Sequence, residues 1–342
     1  MGRKRSGLGL TKRWGVVAAA AVATLALSVS ACSSSEPAAS SSSAAAQRIT
    51  LTIGDQVKQT ESLLQAAGQL KDLPYDVQWA AFESGPPLLE AAAAGKVDIG
   101  GTGDVPPVFA QSSGAPLKIV AVQARRKPTD FLLVKADSPV KSIADLKGKK
   151  IAFTKGSSSN GLVLALLDHA GLKPADIQQT LLTPTEGLSA FTNSQVDAWA
   201  VWNPFAEVAI SQHGARVVTD GAGLTTQQAY YLASSQSLGD PVKQKAIADF
   251  VARLGRAQEW AVTHEDQWIP TYSKLTKLSE PVARATFATG SGPLVPIGDE
   301  QIAKHQRLID LFANGKVIPN DPKAADYFDA QFNSAVSGTG TS

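Results

Sequence analysis

From Ile49 onward the chain alternates between short apolar, β-branched runs and longer amphipathic ones. ITLTIG reads as a strand ending at Gly54, after which Leu63, Leu64 and Ala67 repeat at helical spacing. YDVQWAAFE predicts a second strand, closed by an SGPP turn and followed by the helix LLEAAAAG, with Gly95 as its stop. VDIGGTG predicts a third strand, DVPPVFAQSSG a short helix with prolines in its first turn, and LKIVAVQ a fourth strand. The alternation resumes after Pro139. Ser142 and Asp145 cap a helical turn, KKIAFTKG predicts a strand, and SSSNGLVLALLDHAG leads into a helix ended by Gly171. Strands follow at QTLLT, VDAWAVW, ARVVTD and YYLASS, and then a mainly helical region with a long amphipathic stretch from Val242 to Val262. Such alternation argues for parallel strands with right-handed crossovers, hence an open α/β sheet.

The roughly 290 residues involved exceed what one core supports, so two lobes are expected. Residues 49–136 and 230–333 form the first, because the C-terminal helices have few strand partners of their own and must pack back on it; residues 137–229 form the second. The chain then crosses between lobes near 134–140 and 226–232, and two crossovers make a hinge. Residues 334–342 read as a flexible tail.

The N-terminal pattern is different. Arg3, Lys4, Arg5, Lys12 and Arg13 precede a weakly apolar run from Val16 to Ala31, too short for a membrane span but suited to an export signal over residues 1–31. Small residues then lead into Cys32, the one cysteine of the chain, and residues 32–48 are almost all Ser, Ala, Glu and Pro, a tether that cannot bury a core. Loss of the signal removes five cations and takes the formal net charge from +2 to −3. No basic stripe remains for nucleic acid. A single cysteine also rules out disulfides within the chain.

Catalytic motifs are missing: there is no G-x-S-x-G, H-E-x-x-H, Walker loop or dinucleotide G-x-G-x-x-G. His169, His213, His264 and His305 are scattered and read as surface residues, and no metal or cofactor is expected. Small-polar turns recur at the carboxyl ends of the strands: ESGPP (83–87), GTGDVPP (101–107), TKGSSSNG (154–161) and WNPF (202–205). Ligands of open α/β sheets bind at those ends, and helix N-termini there suit a small anion. Thr102, Ser157, Ser158, Ser159 and Asn160 add donors and Lys155 a full charge. Trp202 is the candidate wall for a ligand's apolar part, while Trp79 and Trp199 read as core. Arg125 and Arg126 could reach the cleft but read as surface residues.

Together VSAC, GPPLLE, TGDVPPVFAQ, KGSSSN and the W-x-x-W-N-P-F run resemble lipoprotein members of the aliphatic-sulfonate-binding family of ABC importers, which also includes taurine- and nitrate-binding proteins. The resemblance spans Ile49 to Pro319. It implies a two-lobed type II periplasmic-binding fold without catalytic activity, held on the outer face of the bacterial cell membrane by a lipid on Cys32, and handing an alkanesulfonate to a permease with its ATPase subunits. The protein would act as a monomer. Its anion contacts would come from Ser84, Gly85 and Pro86, from Thr102, Gly103 and Asp104, from Lys155, Ser157, Ser158 and Asn160, and from Trp202 and Asn203. The family frequently has Asp at the position of Asn203 and Glu at that of Asp104, which mildly favours a plain alkanesulfonate over taurine and a roomier pocket. Taurine, nitrate or a thiamine-pyrimidine precursor are alternative ligands. A pyrimidine-synthesising enzyme of the same fold would need histidines clustered near a lysine, which the four dispersed ones do not offer.

Overall fold

The computed structural model describes residues 48–288 and 292–337, so the expected signal and Cys32 lie outside the described residues. The chain first lays down β1 (Thr50–Gln56), α1 (Gln59–Ala66), β2 (Asp76–Phe82), α2 (Gly85–Ala93), β3 (Ile99–Gly103), α3 (Pro106–Ser112) and β4 (Leu117–Ala124). It then crosses to β5 (Asp130–Lys135), β6 (Lys150–Phe153), α4 (Ser158–His169), β7 (Gln178–Leu181), α5 (Pro184–Thr192), β8 (Ala198–Trp202), α6 (Phe205–His213) and β9 (Ala215–Thr219). It returns through β10 (Gln228–Ser234) to α7 (Ser235–Leu238), α8 (Pro241–Thr263), α9 (Glu265–Thr276), α10 (Glu280–Phe287), β11 (Leu294–Val295), α11 (Asp299–Asn314) and α12 (Asn333–Ser337).

Two sheets result, ordered β11-β4-β10-β3-β1-β2 and β7-β6-β8-β5-β9. Parallel pairing holds for β1 with β2 and β3, and for β6 with β7 and β8. The expected all-parallel arrangement fails at the strands that enter after a crossing and at β11, which runs antiparallel to β4. β5 runs antiparallel between β8 and β9, and β10 antiparallel between β3 and β4. Each crossing enters its sheet at the end that faces the cleft, so the entering strand runs away from the cleft, opposite to the strands whose carboxyl ends point to it.

The first crossing therefore comes earlier than the apolar pattern suggested, over residues 125–129, and the second over 220–227. Residues 130–135, assigned by sequence to the first lobe, hydrogen-bond into the second sheet. Phe131 to Val134 are all buried, and a run apolar on both faces carries no signal of which sheet it joins.

The C-terminal helices pack on the first sheet as expected. Asp240 caps α8 by accepting from the backbone N–H groups of Val242 and Lys243, and Ala246, Ile247, Phe250, Leu254, Ala257 and Ala261 bury one face against β1 and α1. Val336 of α12 is 5% exposed within this core, so the expected tail is docked as far as Val336, while its residues 338–342 lie outside the described residues. A smaller cluster, Val105 before α3 and Val108 within it, Leu164 of α4 and Leu308, Ile309 and Phe312 of α11, bridges the lobes. His305, expected at the surface, is fully buried beside Tyr230 and Phe328.

Candidate functional site

A hollow of about 50 Å³ lies where the carboxyl ends of both sheets face each other. At ~10–15 Å³ each, it has room for roughly three to five water-sized groups. Of the residues expected to hold an anion, it brings together Gly85, Thr102 and Gly103 from the first lobe and Ser157, Ser158, Trp202 and Asn203 from the second. The lobes touch here. A methyl placed on Gly103 would stand 3.1 Å from Ser158 Cβ, and one on Gly156 would be 3.6 Å from Pro86 Cγ and 3.5 Å from Phe109. The cleft is shut.

Local structure places each of these residues at the hollow. Ser84 is the N-cap of α2 without a side-chain capping bond, so the first turn of α2 opens at Gly85 towards the hollow. A methyl on Gly85 would meet Thr102 Oγ1 at 2.1 Å, so only glycine lets that hydroxyl occupy its place. Thr102 Oγ1 is buried and has no hydrogen-bond partner in the protein, an unmet polar group directed at the cleft. Across from it, Ser157 caps α4, accepting from the Asn160 N–H and donating to the Thr154 carbonyl at 2.7 Å, while Ser158 donates to Asp130 Oδ1 at 2.6 Å. Trp202 ends β8 with its ring edge-on to Phe205 at 6.0 Å, and Asn203 hydrogen-bonds the Glu207 carboxylate.

The charge comes from a residue that the sequence reading placed on the surface. Arg125, at the carboxyl end of β4, lines the hollow and donates to Thr129 Oγ1 at 2.6 Å. Lys155 is exposed and lines a separate groove with Asn160, beside Gly315 and Lys316. It turns away because Gly156, at φ 71°, reverses the chain just after it, and the Gly156 N–H is held by Asn160 Oδ1 at 3.0 Å. Asn160 therefore builds the α4 turn rather than facing the cleft. Pro86 packs between the lobes, and Asp104 is buried behind the hollow, accepting from Thr226 at 2.6 Å.

Arg125 is not isolated. Burial pushes Asp104 up to about 6, with the Thr226 hydroxyl opposing and the Asp130 charge adding to the rise. Asp130 is raised by burial as well, opposed by Arg125 and by the Ser158 and Thr129 hydroxyls. Both crossings thus converge on one polar floor that holds the guanidinium in place. Gln56, Val57 and Gln59, at the end of β1 and the start of α1, complete the first-lobe wall, with Tyr272 and Thr286 from α9 and α10. Val57 has φ 48°, a costly conformation for a β-branched residue and of the kind that gathers at functional sites. The strand-end rule that found the other turns also points to Gln56 and Arg125, because one ends a strand and the other follows one. Nothing in the sequence marks Tyr272 or Thr286.

Beyond Gln56, Gln59, Thr102 and Arg125 the hollow adjoins a smaller recess walled by Asp55, Thr60, Gln123 and Tyr231. Asp55 is 2% exposed and accepts from the Thr60 and Glu61 N–H groups at 2.9 Å each. Burial raises it to about 6 against those bonds. Among the described residues no group of His, Cys, Asp and Glu is placed to hold a metal, and no helix is long and apolar enough to cross a membrane.

Comparison with known proteins sets this geometry in context. Residues 76–267 match the family described as NMT1/THI5 like. An Escherichia coli (strain K12) protein named for binding aliphatic sulfonates is 38% identical over 277 residues, covering 79% of this chain and 85% of that one. The taurine-binding periplasmic protein of the same organism is 25% identical over 273 residues, 78% of this chain and 82% of that one. The solved structure of an alkanesulfonate-binding protein from Xanthomonas axonopodis pv. citri, bound to MOPS, superposes with a TM-score of 0.76 at 31% identity, covering 83% of this chain and 99% of that one.

Proposed function

Since the chain belongs to the NMT1/THI5-like family, we propose that it is the extracytoplasmic receptor of an ABC importer, taking an aliphatic sulfonate between its lobes and passing it to a permease driven by ATPase subunits. The observation that carries the reading is the buried, unpartnered Thr102 hydroxyl beside the Arg125 guanidinium in a closed interlobe hollow of about 50 Å³. A sulfonate group is ionised at every physiological pH and offers three acceptor oxygens. Thr102, Arg125 and the helix starts at Gly85 and Ser158 supply hydroxyl, guanidinium and amide donors to match. Trp202 and Val57 are the apolar surfaces for the alkyl part. Of the residues expected from sequence, Gly85, Thr102, Gly103, Ser157, Ser158, Trp202 and Asn203 remain contacts in this reading, with Ser84 and Pro86 shaping the turn. Lys155, Asn160 and Asp104 do not contact the ligand.

Binding without catalysis is part of the reading. The hollow is lined by no histidine and no cysteine, and His305 is sealed in the core. Taurine is the second ligand to test, because the Asp55 carboxylate in the adjoining recess could meet an ammonium group. Cys32, after the apolar run and before the Ser/Ala-rich segment, is the proposed site of a diacylglyceryl anchor.

A thermal-shift panel of ethanesulfonate, taurine, nitrate, sulfate and a thiamine-pyrimidine precursor tests the ligand. Ethanesulfonate is expected to raise the midpoint most, since a ligand at 100 times its Kd adds about 2.7 kcal/mol to the native state. No response to any sulfonate would refute the assignment. Fatty-acid labelling that disappears in Cys32→Ser tests the anchor.

A further inference from the structure

Besides contacts at the floor of the cleft, the lobes share a side-chain hydrogen bond at its mouth. Thr185 Oγ1 donates to Glu83 Oε1 at 2.8 Å. Glu83 follows β2 and lies two residues before Gly85, so it is continuous with the turn that faces the hollow. Thr185 is the second residue of α5, and a capping box between Thr183 and Glu186 fixes that turn on the second lobe. The Glu83 carboxylate thus sits at a helix start, where the N-terminal partial charge adds to the hydroxyl bond. Both residues are exposed, so the bond is modest in absolute terms. The balance between open and shut lobes is itself a small free-energy difference, and a bond present in only one state shifts the populations by its full worth.

We propose that Glu83 and Thr185 are positioning residues for ligand retention: their bond exists only when the lobes are shut, and it slows escape of the bound molecule without touching it. The proposal builds on the capture reading above, and its test includes an arm that needs no ligand. In the full chain, Glu83→Ala, Thr185→Ala and the double variant are compared by stopped-flow dissociation of ethanesulfonate, followed by tryptophan fluorescence. Hydrogen exchange of the segments carrying Gly85 and Gly103 is followed in ligand-free protein.

Either single variant is expected to speed escape about threefold to tenfold, the range of one hydrogen bond. The double variant should be no faster than the singles, because the same bond is lost once. Association rate should stay at the wild-type value, and Thr185→Ser should restore slow escape. Exchange at the cleft should rise equally in all three alanine variants. Unchanged escape with unchanged exchange, or effects that add in the double variant, would overturn the proposal. A wild-type chain that ignores ethanesulfonate but shows the exchange pattern would support the mouth bond and refute the sulfonate reading.

Discussion

His305 gives a quantitative test of the fold through proton linkage. Its side chain is 0% exposed and both ring nitrogens lack partners, so burial alone lowers its value from 6.5 to about 3. The unfolded chain takes up this proton below 6.5, whereas the folded chain resists until about 3. The contribution of His305 is therefore complete above 6.5 and is lost as pH falls towards 3. Between about pH 7 and about pH 5 the loss amounts to about 2 kcal/mol. Asp55 and Asp104 work in the opposite direction: raised from 3.8 to about 6, each stabilises the native state as it protonates, by about 1 kcal/mol over the same range. The wild-type curve alone mixes these terms, and comparison with His305→Leu separates them. Leucine fills the space without ring nitrogens, so the variant should be no less stable than wild type at about pH 7 and should gain about 2 kcal/mol on it by about pH 5. Urea unfolding at both pH values measures this. Parallel pH dependences for the two proteins would show that His305 is either hydrated or charged in the native state, and the reasoning would fall.

Two substitutions probe the cleft. Arg125→Ala should weaken ethanesulfonate binding by about 2–4 kcal/mol, the scale of a lost charged partner, while Lys155→Ala should leave the affinity unchanged in the same calorimetric titration. Gly85→Ala drives a methyl to 2.1 Å from Thr102 Oγ1 and 2.5 Å from Pro106 Cγ, so it should cost at least about tenfold in affinity, with wild-type circular dichroism retained.

Much of this was legible from the chain because the physics is local. Strand periodicity, capping residues and glycine stops located most elements, and the strand-end rule identified four of the turns that meet in or beside the cleft. What failed depended on long-range partners. FLLVK is apolar on both faces and fits either sheet, and only its pairing with β8 and β9 places β5 in the second. Lys155 and Arg125 both follow strands, and only the glycine reversal after Lys155 turns one away while the crossing floor draws the other in. His305 does carry a signal: it falls between Ile302 and Leu308–Ile309 on the apolar face of α11, a spacing that overrides the polarity of the imidazole. Val336 was missed because a polar tail obscured one well-placed apolar residue.

The insertion of β10 between β3 and β4 has a consequence for biogenesis. The earlier half of the molecule cannot complete its own sheet until the polypeptide has run past Gln228, by which time the other half has been synthesised. An N-terminal fragment would leave two unpaired strand edges, so folding must await nearly the whole chain and proceed cooperatively and slowly. In the extracytoplasmic reading proposed above, in which the polypeptide crosses a membrane before it folds, such delay would keep it extended until it reaches the far side.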